Sequence, residues 1–445
     1  MNSSKVVVST IESVANDKYP SDWDIQRFRH VFSFGKGLSI TKDNLEDEGV
    51  PTVNYGEVHS KYGFELIPSK HALKCVSPDY LKTGKSSLLK FGDFVFADTS
   101  EDLQGSGNFT YLNGNEQVFA GYHTVIARLK PKWRESLDVR FLAYLLDSAS
   151  FRTQVRKRVK GVKVYSITQS ILKDTYLQIP PKKQQGKIAR FLDEKVSKIN
   201  EAIAIKQKQI DLLKERKQII IQQAVTQGLN PDAPMKDSGV DWIGEIPEHW
   251  IVKRAKYLLD EINERSETGL EELLSVSHMT GVTPRSEKNV TMFMAEDYTG
   301  SKLCHSGDLV INIMWAWMGA LGVSDRTGIV SPSYGVFREQ REGTFVPKYL
   351  EMLLKSTKYV EYYNKVSTGL HSSRLRFYGH MLFDMALGFP PYEEQTQIVE
   401  YISRKCSKVD EAITVQAEQV SKLKEYKTTL INSTVTGKIK VTELA

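Results

Sequence analysis

Few stretches of this chain place residue types at spacings that could do chemistry, and each lacks a required atom. Phe389-Pro390-Pro391-Tyr392 has the outline of the Asn/Asp-Pro-Pro-Tyr/Phe pattern that methylates adenine N6. That reaction needs a side-chain oxygen at the first position. Phe389 has none, and Ile179 before Pro180-Pro181 has none either. Gly84-Lys85-Ser86 looks like the end of a phosphate loop, but Asp79 stands where the first glycine belongs. The nest of backbone N–H groups is therefore not encoded. Gly35-Lys36-Gly37 is a lone GxG. Glu215-Arg216-Lys217 and Glu425-Tyr426-Lys427 match a nuclease Glu-x-Lys, yet they lie within helix patterns with no Pro-Asp shortly upstream. Cys75, Cys304 and Cys406 are far apart, and the nine histidines show no metal-ligand spacing. The chain reads as a binder rather than an enzyme.

Binding chemistry is better represented. Phe151–Tyr165 carries Arg152, Arg156, Lys157, Arg158, Lys160 and Lys163 and no acid. Asn364–Tyr378 carries Lys365, His371, Arg374, Arg376 and Tyr378, again without an acid. Gly161 and Gly369 mark the two loops. Lysine and arginine neutralise phosphates, and arginine can also fork onto guanine. A charge run is commonly only a solvated face. The occurrence of two runs at corresponding places favours double-stranded DNA as the partner. Met314-Trp315-Ala316-Trp317-Met318 could wedge against bases, but reads first as a buried strand and loop.

These stretches must be positioned by something, and the chain does it twice. Shifted by 210 residues, Pro180–Thr226 aligns with Pro390–Thr436 without a gap, with 18 of 47 positions identical. Each copy opens on Pro-Pro and is followed by a glycine, Gly228 or Gly437. These are helix start and stop signals. Leu192, Val196, Ile199, Ile203, Ile210, Leu213 and Ile220 repeat every seven residues, as do Ile402, Val409, Ile413, Val420, Leu423 and Leu430. So narrow a stripe is a coiled-coil seam. Polar breaks match as well, Lys206 with Gln416 and Lys217 with Lys427.

Ahead of each helix lies a globular stretch opened by Pro-x-x-Trp, at Pro20–Trp23 and Pro247–Trp250. Gly92-Asp93 and Gly307-Asp308 each precede a strand pattern. Thr124–Lys130 alternates as a half-buried strand does. Phe141, Leu142, Leu145 and Leu146 match Tyr349, Leu350, Leu353 and Leu354 on a late helix. The expected fold is α+β (mixed α/β). Its parts are an arm (1–18), a first unit (19–178), a long helix (179–228), a linker (229–245), a second unit (246–386), a second long helix (387–437) and a tail (438–445). If the seams pair, the simplest arrangement is antiparallel, with the globular units at opposite ends and the C-terminal end beside the first unit.

Composition sets outer bounds. Charged residues are 26%, hydrophobic residues 40% and the net charge is +6. That is an ordinary soluble composition, and it permits a polyanion partner without demanding one. No apolar run approaches the roughly 20 residues of a membrane span. Three scattered cysteines fit a reducing cytoplasm.

The Ile-Pro-Pro and Phe-Pro-Pro lead-ins with glutamine four residues after the second proline, the helix end LLKERKQIIIQQAVTQG and the linker DSGVDWIGEIPEHW resemble the specificity (S) subunits of Type I restriction-modification systems. The resemblance covers essentially the whole chain. It implies that each globular unit is a target recognition domain reading one half of a split DNA sequence. It implies that the paired helices set the spacer and dock methyltransferase (M) subunits, two of them. S-adenosylmethionine, ATP and Mg are then expected on M and restriction (R) subunits and none on this chain, with adenine methylation and cleavage directed by it in the cytoplasm, away from membranes. The competing readings are a coiled-coil scaffold, a DNA-binding module of another assembly, and a fused methylase or nuclease. The failed motifs disfavour the last.

Overall fold

The computed structural model describes residues 20–161, 163–288, 297–369 and 375–441. The arm 1–18 and the end of the tail lie outside them. The fold is mixed α+β, and the chain divides into two units. The first joins residues up to Lys206 with those from Gln419 onward; the second runs Gln207–Glu418. The C-terminal part of the chain therefore belongs to the first unit, as antiparallel helices require.

In the first unit, five strands stand in the order Phe32–Lys36, Thr124–Leu129, Phe94–Ala97, Phe109–Leu112 and Phe64–Leu66. All pairs are antiparallel except the last. Phe94 and Phe96 point into a core shared with Phe141, Leu142, Leu145 and Leu146. Val95, Ala97 and Ile126 point into another with Val53 and Val58. The sheet is thus covered on both faces. Thr124–Leu129, expected to be half-buried, is buried at every position but Arg128. Its alternation arises because Arg128 has an internal carboxylate partner rather than solvent.

The second unit repeats this plan with one strand fewer: Leu259–Glu261, Gly335–Glu339, Leu309–Ile311, Leu321–Val323. In each unit an entry strand pairs antiparallel with the exit strand, Asp24–Arg27 with Tyr176–Ile179 and Ile251–Arg254 with Ala386–Phe389. Helices α1 (Val139–Asp147) and α2 (Ala149–Arg156) precede the long helix α3 (Lys182–Gln227). Helices α4 (Pro347–Leu354) and α5 (Thr357–Val366) precede the long helix α6 (Tyr392–Val435).

The lead-in motif now has a structural cause. Gln185 is buried; its amide donates to the carbonyls of Pro180 and Ser136 and accepts from the Asp138 N–H. Gln395 does the same with Pro390, Thr344 and the Val346 N–H. One side chain thereby satisfies backbone groups at the start of the long helix and at the start of α1 or α4. Trp23 and Trp250 donate to the preceding residue on each helix, Gln184 and Glu394, both at 3.2 Å.

Where α3 and α6 run together they are antiparallel. Lys427 reaches Asn200 at 2.9 Å in the first unit, and Lys217 reaches Asp410 at 2.6 Å in the second. These are one contact made twice, since the repeat equates Lys217 with Lys427 and Asn200 with Asp410. The seam residues named above are all buried or half-buried.

Two sequence expectations need correction. Residues 229–245 are not a bare linker. Met235–Asp237 pairs with Glu245–Pro247 as a hairpin, Ile243 and Ile246 enter the second unit's core, and Trp242 packs on Tyr359 and Tyr362. Met314–Met318 is not a buried strand. It turns through a short 3-10 segment that leaves Trp315 and Met318 exposed, because Asn312 already closes the strand end against Ala320.

Candidate nucleic-acid interface

The described parts of the two basic runs are placed alike. In the first unit α2 leads into a loop closed by an antiparallel bridge between Lys160 and Ser166. In the second, α5 leads into a loop closed by Thr368 and Arg376. Tyr165–Ser166 also pairs with Thr99–Ser100, just after the strand Phe94–Ala97, as a separate two-stranded ladder. Gly161 fits because an added Cβ would lie 2.1 Å from the Val164 carbonyl.

The cations divide by role. Lys157, Lys160 and Lys163 are exposed. The three arginines are held internally. Arg152, with 18% of its side chain accessible, pairs with Asp147 at 2.8 Å and donates to Asn108 at 2.6 Å. Arg156 donates to the Gln104 carbonyl and Arg158 to the Gln154 carbonyl. Burial works against the charged form of both, and for Arg156 so does neighbouring Arg152. In the second unit Lys365 and Tyr378 are exposed, and Tyr378 stacks on His380. Arg376 is half-buried and donates to the Leu375 carbonyl. His371 and Arg374 lie outside the described residues.

Sequence reasoning missed two features. Asp93 and Asp308 are buried partners of Arg128 and Arg338, each at 2.7 Å, and each also accepts an N–H just upstream, from Lys90 or His305. The repeated Gly-Asp was the signal. Ile205, Leu212 and Ile219 form an exposed apolar stripe on α3, 53%, 54% and 47% accessible. Its seven-residue spacing was visible but stood off the seam. Among the described residues no His/Cys/Asp/Glu group could hold a metal, and no helix is long and apolar enough to cross a membrane. The three cysteines are free and buried; burial pushes the Cys304 thiol up to about 11.

Each of the two mixed units thus ends in a basic run followed by a long helix. Residues 20–214 match the Type I restriction modification DNA specificity domain. The Type I restriction enzyme MjaVIII specificity subunit of Methanocaldococcus jannaschii is 22% identical over 449 residues, covering 96% of this chain and 95% of that one. The putative MjaX specificity subunit of the same organism is 22% identical over 439 residues, covering 95% of each. A chain from a structure described as underlying complex assembly and conformational transition of the Type I R-M system shares the fold. Its TM-score is 0.65 at 16% identity, covering 95% of this chain and all of that one. Residues 20–214 thus carry the match to the Type I DNA specificity domain, and the chain as a whole is similar, over nearly its full length, to Type I restriction-modification specificity subunits.

Proposed function

We propose that this subunit selects a bipartite DNA target, each unit reading one half. The repeated basic loop carries this reading: two domains of one topology present it after the same helix, bridged at Lys160–Ser166 and Thr368–Arg376. Lys157, Lys160 and Lys163, and Lys365, Arg376 and Tyr378, are the proposed contacts to DNA. Arg152 and Arg158 bond within the first unit and are assigned to holding the loop, as is the one terminal nitrogen of Arg156 that meets Gln104. If Arg374 and His371 contribute, they do so beside Arg376 in the same basic run.

The paired helices are proposed to set the gap between half-sites and to dock M subunits. Their lengths of 46 and 44 residues support the first role. The stripe Ile205–Leu212–Ile219 supports the second, because an apolar row left in water marks a partner surface. S-adenosylmethionine, ATP and Mg are assigned to the M and R subunits, which methylate or cleave where this chain directs them.

The test is methylome sequencing of a strain with and without the gene. One bipartite adenine-methylated motif should vanish with it. An unchanged methylome in a strain whose M subunit is expressed and active would sink this reading in favour of a scaffold.

A further inference from the structure

One cleft, of about 530 Å³, is lined wholly by residues of the first unit. Arg152 and Arg156 of α2 contribute from the domain, and Lys424 and Lys427 of α6 from the long helices, with Asp147 and Asn200 between them. The four cations thus share one lining carboxylate, Asp147, already committed to Arg152 at 2.8 Å, while Asp102 acts on Arg156 from nearby. Lys427 has only a neutral amide oxygen, that of Asn200. Arg156 bonds one terminal nitrogen to Gln104, while its Nε is buried without an acceptor among the described residues. A buried donor of this kind is unfavourable unless a ligand supplies the acceptor.

The internal repeat provides a control. Offsets of 208 residues for α2 and α5, and 210 for the long helices, equate Arg152 with Val360, Arg156 with Asn364 and Asn200 with Asp410. Lys424 and Lys427 correspond to Lys214 and Lys217. In the second unit, therefore, both arginines are gone and Asp410 neutralises Lys217 at 2.6 Å. The packing is otherwise retained. Asn432 accepts from the N–H of Ser150 at the start of α2, and its counterpart Gln222 accepts from Thr357 at the start of α5. Helix packing does not need the cations, so their concentration in one copy asks for a ligand.

We propose that this cleft is a phosphate site, present in the first unit and not in the second. Phosphate fits better than a run of carboxylates. One phosphorus presents several acceptor oxygens to donors converging from two elements, and arginine forks match it. Successive carboxylates on an extended peptide point to opposite sides and do not converge. The phosphate comes either from a DNA backbone or from a free polyphosphate.

The experiment uses the full chain and inorganic tripolyphosphate, followed by calorimetry. Wild type is expected to bind. Arg156→Gln with Lys424→Gln should weaken binding at least tenfold, while Lys214→Gln leaves it unchanged; circular dichroism of each variant checks folding. Lys424→Gln alone, on an exposed position, keeps the test open if the double variant does not fold. The same variants, assembled with M subunits, are then titrated with duplex at several salt concentrations. A salt slope lowered by about 1–2 in the double variant assigns the phosphate to DNA. An unchanged slope with tripolyphosphate binding lost assigns it to a free compound. Failure of tripolyphosphate to bind, together with an unchanged slope, overturns the proposal. So does equal loss in Lys214→Gln, or polyglutamate binding as tightly as tripolyphosphate. The tripolyphosphate arm needs no half-site, so its failure is separable from failure of the bipartite reading.

Discussion

Asp93 and Asp308 lie almost wholly inside their units, with 3% and 1% of the side chain accessible, and each is answered by one arginine. Removing the aspartate takes the acceptor from a partly exposed arginine and from the Lys90 or His305 N–H, which costs about 1–3 kcal/mol. Asp93→Ala and Asp308→Ala should each lower stability by about that much in urea unfolding of the full chain; losses under about 1 kcal/mol would mean that water already screens the pairs. The aspartates were legible as a repeated Gly-Asp, but their partners were not. Arg128 is 35 residues away from Asp93, and only the strand register brings them together. The basic runs show the same limit. Six cations without an acid looked equivalent in sequence, yet Asp147, just outside the run, removes Arg152 from solvent. On the proposed reading, Lys157→Ala, Lys160→Ala and Lys163→Ala should each reduce the salt slope of duplex binding by about 0.9 if each meets one phosphate. Titration of the S–M complex measures this, and an unchanged slope in the triple variant would remove the loop from the interface.

The long helices were the most legible elements. Their seam, lead-in prolines and terminal glycines are local patterns, repeated in one register, and Gly228 and Gly437 both take left-handed conformations. Elements defined by distant pairing were less legible. The hairpin within 229–245 reads as a Pro/Gly-rich linker because its stability lies in Ile243, Ile246 and Trp242 meeting the second unit. The stripe on α3 carries a prediction at this scale. Leu212→Lys places a charge on an exposed apolar position, so helicity and unfolding should change by less than about 0.5 kcal/mol. Capture of M subunits should weaken at least tenfold, read by co-purification and by analytical ultracentrifugation. Undiminished assembly would show that M docks elsewhere.

At the scale of the whole molecule, independent reading predicts modularity. Exchange of residues 19–178 for the corresponding unit of a relative should change one half of the methylated motif and leave the other, as read by methylome sequencing. The helices carry the spacing prediction. A heptad added after Lys206 and another before Gln419, positions that meet across the helix pair, keeps the seam in register. It lengthens each helix by about 10 Å, or about three base pairs at ~3.4 Å each. Duplexes differing only in spacer length should then show lost affinity for the native gap and any recovery at a longer one. Three base pairs also turn the groove by nearly a third of a ~10.5-base-pair helical repeat, so recovery should be partial. One further feature concerns the order of the parts. Gly228 at the end of α3 abuts Pro247 and Trp250, and residues 229–246 carry the chain between them. Gly437 after α6 abuts Pro20 and Trp23 in the same way, so closely that an added Cβ would lie 2.5 Å from the proline ring. The two junctions are packed alike, so the connection made at one could equally be made at the other. A circular permutant opened within 229–234, with a copy of 229–246 bridging Gly437 to Pro20, should fold, assemble with M subunits and direct methylation of the same sequence, with its two halves translated in the opposite order.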